Sequence, residues 1–127
     1  MSYLIDTNGW IAFFEDDPVL SEEAATVMES GADCFISAAS IWEAAIKVGN
    51  GKLELPYDLK HDLPRLIEQN GFGLLGIELA DVVEVKDLAR HQGDPFDRIM
   101  AVQARRRGWQ VISRDPVFDT YGLRRVW

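Results

Sequence analysis

Short apolar runs alternate along the chain with longer stretches in which apolar residues recur every three or four positions. Tyr3-Leu4-Ile5 reads as a short buried strand running into Asp6, and Trp10 to Phe14 as a brief apolar helix ending near Asp16-Asp17-Pro18. Ser21-Glu22-Glu23 opens a second helix that runs to Ser30 and is stopped by Gly31. Cys34-Phe35-Ile36 is a second short strand. Ser37 is placed to cap the next helix, which carries Ile41, Ala45 and Val48 on one face and ends at Gly49-Asn50-Gly51. After Pro56 the pattern predicts a helix over Leu59 to Gln69, a strand over Phe72 to Ile77 and a helix over Ala80 to Arg90. Pro95 opens a helix containing Ile99, Met100 and Ala104. Trp109 to Ile112 returns as a strand, and Leu123 to Val126 as another at the edge.

Strands alternating with helices predict a parallel α/β sheet, because parallel neighbours need crossover connections. The absence of polar alternation within the strands agrees, since such sheets are covered on both faces. Ligands of this architecture gather at the carboxyl ends of strands. Asp6 follows the first strand and Asp115 follows Val111-Ile112, so both fall where a site is expected.

Bulk properties narrow the function. At 127 residues the chain fits one domain with a sizeable core, taken here as residues 1–127, with no linker, repeat or low-complexity tract. Asp and Glu number 21 against 13 Lys and Arg, a net charge of −8. Such a chain does not bind nucleic acid through its overall field; a nucleic-acid substrate requires bound metal together with local Arg and Lys. A basic protein partner suits the same surface. Cys34 is the single cysteine and, with only His61 and His91, makes neither an internal disulfide nor a zinc cluster. A reducing cytoplasm is the expected home, since no signal-peptide pattern opens the sequence and no apolar run nears the roughly 20 residues that span a bilayer.

The acids carry the candidate chemistry, and each also has an ordinary structural role. Asp6 suits a helix N-cap. Glu43 lies four residues before Lys47, the favoured order for a helical ion pair. It is also surrounded by Ile41, Trp42, Ala44, Ala45 and Ile46, so the helix should be largely buried, and a carboxylate there needs a partner such as a metal. Asp94 before Pro95 is a common helix start, and Asp97 in the first turn suits the helix dipole; one turn before Ala101, Asp97 can also enter a cleft. Asp115 before Pro116 again resembles a cap. Independent caps do not explain why several acids fall at strand ends of one small α/β domain. Their convergence makes a negative pocket that cations neutralise, and all-oxygen donors select Mg²⁺ or Mn²⁺ over zinc. With no Ser-His pair or reactive thiol nearby, the chemistry that remains is hydrolysis by metal-activated water.

Leu4-Ile5-Asp6-Thr7-Asn8, Ser37 to Leu53 with Trp42-Glu43, Ile46-Lys47 and Gly51-Lys52-Leu53, His91-Gln92-Gly93-Asp94-Pro95-Phe96-Asp97-Arg98 through Gln103-Ala104, and Ser113-Arg114-Asp115 through Phe118 and Tyr121 follow one another in order. Together they resemble the PIN-domain family and, within it, the VapC toxins of toxin–antitoxin pairs. The resemblance spans nearly the whole chain. It implies three α/β/α layers around a short, mainly parallel central sheet of roughly four to five strands. It implies that Asp6, Glu43, Asp97 and Asp115 are the catalytic, metal-holding quartet, with Asp6 and Asp97 the most direct ligands of Mg²⁺ or Mn²⁺ and Glu43 and Asp115 completing the site directly or through water. Asp94 is then an accessory acid or a cap, with the cap favoured, and Thr7 and Ser113 hydrogen-bond the site carboxylates. The implied activity is endoribonucleolytic, leaving a 5′-phosphate and a 3′-hydroxyl. The implied partners are an RNA substrate, a cognate antitoxin that inserts Arg or Lys into the acidic site, and a second copy of the chain in a homodimer. Arg114 departs from the family pattern, where a smaller or neutral residue is frequent; contact with phosphate and pairing with a site acid are both open to it.

Substrate grip must come from cations. Lys47, Lys52, Arg90, Arg98 and the Arg105-Arg106-Arg107 run are the candidates, although the run sits near a helix C-terminus, where cations are favoured anyway. The four tryptophans are expected mostly in core or interface positions. Two rival enzyme readings are weaker. A phosphatase of the haloacid dehalogenase type needs a second Asp two residues after the first, where Asn8 stands. A phosphoacceptor receiver needs a strand-end Lys that is not evident. A PIN-like scaffold that binds without cutting is the non-enzymatic alternative, and the presence of all four acids argues against it.

Overall fold

Neighbouring side chains on an extended strand point to opposite faces, and here both faces are apolar. Among the described residues five strands, β1 (Ser2–Ile5), β2 (Asp33–Ser37), β3 (Gly73–Leu75), β4 (Gln110–Ile112) and β5 (Arg125–Val126), lie in the order β3-β2-β1-β4-β5, each pair parallel. The structure is a computed structural model and describes residues 1–89 and 93–127. Among the described residues seven helices are interspersed: α1 (Thr7–Phe14), α2 (Glu22–Glu29), α3 (Ala38–Gly49), α4 (Leu63–Gln69), α5 (Leu79–Glu84), α6 (Pro95–Arg107) and α7 (Val117–Thr120).

Ile5, Ile36 and Ile112 face one layer, where they pack with Trp10 of α1, Met28 of α2 and Leu63 and Ile67 of α4. Leu4 and Val111 face the other, against Met100, Ala101 and Ala104 of α6 and Phe118 of α7. Parallel pairing forces each connection across a face, and the result is the expected α/β/α sandwich, with a sheet wholly rather than mainly parallel. The chain runs outward from β1 through β2 to β3 and then returns to β4 on the other side of β1. That reversal opens a crevice at the carboxyl ends of β1 and β4.

Several boundaries differ from the sequence pattern. The first helix begins at Thr7, because Asp6 itself caps it through the Gly9 amide. Helix α4 starts at Leu63 rather than Leu59: Pro64 has no amide proton and is tolerated only in a first turn. The predicted strand over Phe72 to Ile77 keeps only Gly73–Leu75. The helix predicted from Ala80 to Arg90 ends at Glu84 and tightens into a 3₁₀ turn over Val85–Asp87; Arg90 lies outside the described residues. The edge strand shrinks to Arg125–Val126, and α7 was not expected. The largest correction concerns α3. Its buried residues are Ala39, Ser40, Glu43 and Ala44, while Ala45 and Val48 of the predicted face are exposed, as are Trp42 and Ile46. Small residues let this helix approach its neighbours closely, and the face that turns inward is the one carrying polar groups with partners to meet.

One of those partners is in the core. The fully buried Trp10 donates its indole N–H to Ser40 Oγ at 3.0 Å, and Ser40 in turn donates to the Ser37 carbonyl. Ser37 both caps α3, accepting from the Ala39 amide, and donates to the buried Gln103 amide oxygen at 2.7 Å. This polar chain ties α1, the end of β2 and α6 into one unit behind the crevice.

Candidate active site

Four segments converge on the crevice, which is a cleft of about 630 Å³. From the end of β1 comes Asp6, buried, its Oδ1 accepting the Gly9 amide at 2.8 Å and its Oδ2 the Ser113 hydroxyl. Gly9 is required here by close approach: a Cβ would stand 2.9 Å from Ile5 and 3.0 Å from the Asp6 carboxylate. The same first turn of α1 supplies Thr7, whose hydroxyl donates to Glu43 Oε1 at 2.6 Å. Glu43 reaches the cleft from α3 and is itself buried; its Oε2 accepts from Lys47 Nζ at 2.9 Å. The hydrogen bonds expected of Thr7 and Ser113 are therefore present, and so is the ordinary Glu43–Lys47 pair.

Helix α6 begins at the same place. Asp94 caps it, accepting the Phe96 amide at 2.7 Å, and Asp97 follows in the first turn. Both line the cleft. At the end of β4, Ser113 Oγ accepts the Asp115 amide at 2.9 Å while donating to Asp6, so one hydroxyl links two acids. Asp115 is exposed and accepts the Val117 amide at 2.9 Å in a turn just ahead of α7; the N-cap position expected of it falls to Pro116 instead. Asp6, Glu43, Asp97 and Asp115, separated by up to 109 residues in sequence, thus line a single cleft.

The electrostatics record this crowding. Burial pushes the Asp6 carboxyl up to about 6, against the hydrogen bonds from Ser113 and Gly9, with repulsion from Glu43 and Asp115 added. Asp97 is pushed further, to about 7, by burial first and then by Asp94, Glu43, Asp115 and Asp6. The donor set fits a hard divalent cation in its chemistry, since every acid is an oxygen ligand and their mutual repulsion favours a cation among them. Among the described residues, no three His, Cys, Asp or Glu side chains form a closed group around a metal position as they stand. Hydrogen bonds from Gly9, Ser113, Thr7 and Lys47 occupy the oxygens of Asp6 and Glu43.

The candidate cations divide sharply. Lys47 and Arg114 line the cleft from α3 and from the β4–α7 loop. Arg98 is held against Tyr121 and the Ala89 carbonyl. Arg106 and Arg107 are committed to the fully buried Asp81, at 2.6 and 3.0 Å, and Arg107 also reaches Glu78, so two members of the arginine run clamp α5 to α6. Lys52 and Arg105 are exposed outside the cleft; Arg90 and His91 lie outside the described residues. Asn8, Asp17, Val19 and Trp127 also line it and were not singled out from sequence. Asn8 had a signal, being beside Asp6 at the strand end; Trp127 had none, because only the β5 pairing brings it there. Of the other tryptophans, Trp10 is core, Trp109 stacks on Phe35 at 4.4 Å and Trp42 is exposed, meeting Phe96 edge-on.

The PIN domain sequence profile matches residues 3–123. The chain belongs to the PIN domain family. Similar solved structures include VapBC2 from Rickettsia felis bound to a DNA fragment from their promoter, with a TM-score of 0.70 and 14% identity over 98% of this chain and 97% of that one. FitAB bound to the IR36 DNA fragment gives 0.68 and 17% over 97% and 92%, and FitAcB from Neisseria gonorrhoeae gives 0.64 and 22% over 97% and 95%. At these identities the likeness is one of fold. No curated protein matches the chain. No helix among the described residues is long and apolar enough to cross a membrane.

Proposed function

We propose that this PIN domain is a metal-dependent endoribonuclease, the toxin of a toxin–antitoxin pair acting in the cytoplasm. The observation that carries the reading is the convergence of Asp6, Glu43, Asp97 and Asp115, from four separate segments, on one cleft at the point where the strand order reverses. In this reading Asp6 and Asp97 hold Mg²⁺ or Mn²⁺ most directly, and Glu43 and Asp115 complete the set. When bound, such an ion lowers the pKa of water for in-line attack on phosphorus and offsets charge on the leaving 3′ oxygen. The chain's own contribution is positional. Gly9 and Ser113 fix the two oxygens of Asp6, Thr7 fixes Glu43, and Ser113 ties Asp115 to Asp6 through its amide. The reaction leaves a 5′-phosphate and a 3′-hydroxyl. Resemblance to VapC toxins, and the fold shared with VapBC2, support a cognate antitoxin that supplies a basic residue to the acidic cleft, and a homodimer.

The test is cleavage of labelled structured RNAs by purified protein with Mg²⁺, Mn²⁺ or EDTA, beside folded Asp6→Asn and Asp97→Asn variants. Cutting is expected only with metal, and each variant should lose about 100-fold or more. A 2′,3′-cyclic phosphate product would overturn the mechanism, because it requires attack by the RNA's own 2′-hydroxyl. A folded protein that binds no metal and cuts no RNA is a scaffold instead.

A further inference from the structure

The cleft already contains a cation. Lys47 sits one helical turn beyond Glu43 on α3, and its Nζ lies 2.9 Å from Glu43 Oε2. The other Glu43 oxygen accepts from Thr7, so each oxygen of this carboxylate already has a donor, and one of the two donors is a cation. The two partners are unequal: the Glu43 side chain is 10% exposed and that of Lys47 is 44% exposed. A buried carboxylate needs a countercharge, whereas a flexible, half-exposed ammonium can leave for another anion at little cost. The field of Asp94 and Asp97 reaches Lys47 as well, so it answers to the whole acidic set and not to Glu43 alone. Arg114, which also lines the cleft, forms no ion pair among the described residues and is free to meet phosphate.

We propose that Lys47 is the resident counter-cation of the cleft: it holds Glu43 when no divalent ion is bound, and passes to a phosphate of the RNA once such an ion takes over Glu43. The inference rests on the nuclease reading above and assigns Lys47 as a positioning residue with two alternating partners. Its consequence is a pair of opposite effects from one substitution. A cation that competes with the metal for Glu43 weakens metal binding, so removing it strengthens that binding; a cation that grips phosphate aids the substrate, so removing it weakens RNA.

The experiment is calorimetric titration of Mn²⁺ into the full chain as wild type, Lys47→Met and Lys47→Arg, with folding checked by circular dichroism. Lys47→Met is expected to bind Mn²⁺ at least about fivefold more tightly, the lower end of ordinary coupling between sites, while Lys47→Arg keeps the charge and stays near wild type. With Mn²⁺ saturating, Lys47→Met should raise KM for a cleaved RNA several-fold more than it lowers kcat. Wild-type binding with equal or weaker binding by Lys47→Met overturns the role of Lys47 and leaves the nuclease intact. Absence of Mn²⁺ binding by the wild type removes the nuclease reading, and this inference with it.

Discussion

At the scale of single residues, the site is a place where the fold tolerates unfavourable ionisation. Asp97 is pushed up to about 7 from the ordinary carboxylate range, chiefly by burial and then by the neighbouring acids. Folding therefore takes up protons between about pH 4 and 7, and this group lowers stability progressively as pH rises through that window. Removing the charge removes the penalty. Asp97→Asn should melt roughly 3 °C or more above the wild type at pH 8 in EDTA, and close to it at pH 4.5. A variant that melts lower at pH 8 would show that Asp97 is instead held in its charged form. Gly9 is a second residue-scale constraint. In Gly9→Ala the new methyl group meets Ile5 and the Asp6 carboxylate, so the cost should be about 1–3 kcal/mol by urea denaturation, with loss of activity. Unchanged stability would mean that α1 shifts freely at its first turn.

Between elements, the strongest electrostatic tie lies away from the cleft. Asp81 is completely buried, yet hydrogen bonds from Arg107, the Glu78 amide and Arg106 outweigh the upward push of burial and hold its carboxyl below the usual range. A depressed carboxylate contributes stability that is present above its unfolded pKa and lost as pH falls below the ordinary carboxylate range. Asp81→Ala strands two partly buried guanidiniums, and its expected cost is about 3 kcal/mol or more by urea denaturation at pH 7. A loss under about 1 kcal/mol would show that α5 is held to α6 by apolar contacts alone. The same clamp explains why the arginine run is poor evidence for nucleic-acid binding: two of its members are already spent within the fold.

For the whole molecule, the decisive quantity is where positive charge remains available. The net charge is −8, and among the described residues the cations that line the cleft are Lys47 and Arg114. RNA binding should therefore involve few phosphates, with log K against log salt sloping at about −0.7 per phosphate contacted and Arg114→Ala removing about one such contact. An unchanged slope would place Arg114 outside the interface.

Much of this was legible in the sequence for a definite reason. Apolar periodicity encodes which side of an element meets the interior, so the strand Tyr3 to Ile5, the Ser37 cap and the Asp94-Pro95 helix start could be read locally, as could the parallel α/β class. The acids stood out because strand ends are fixed points of such a sheet. Local pattern does not say which distant groups become partners, and there only the tertiary structure decided. Thr7 meets Glu43 across 36 positions and Ser113 meets Asp6 across 107. The inward face of α3 followed those polar partners rather than its aliphatic stripe, and the arginines divided between core clamp and cleft according to where Asp81 was buried. Sequence determined the elements and the candidate chemistry; strand order determined which charges share a cleft, because electrostatic coupling acts through space and not along the chain.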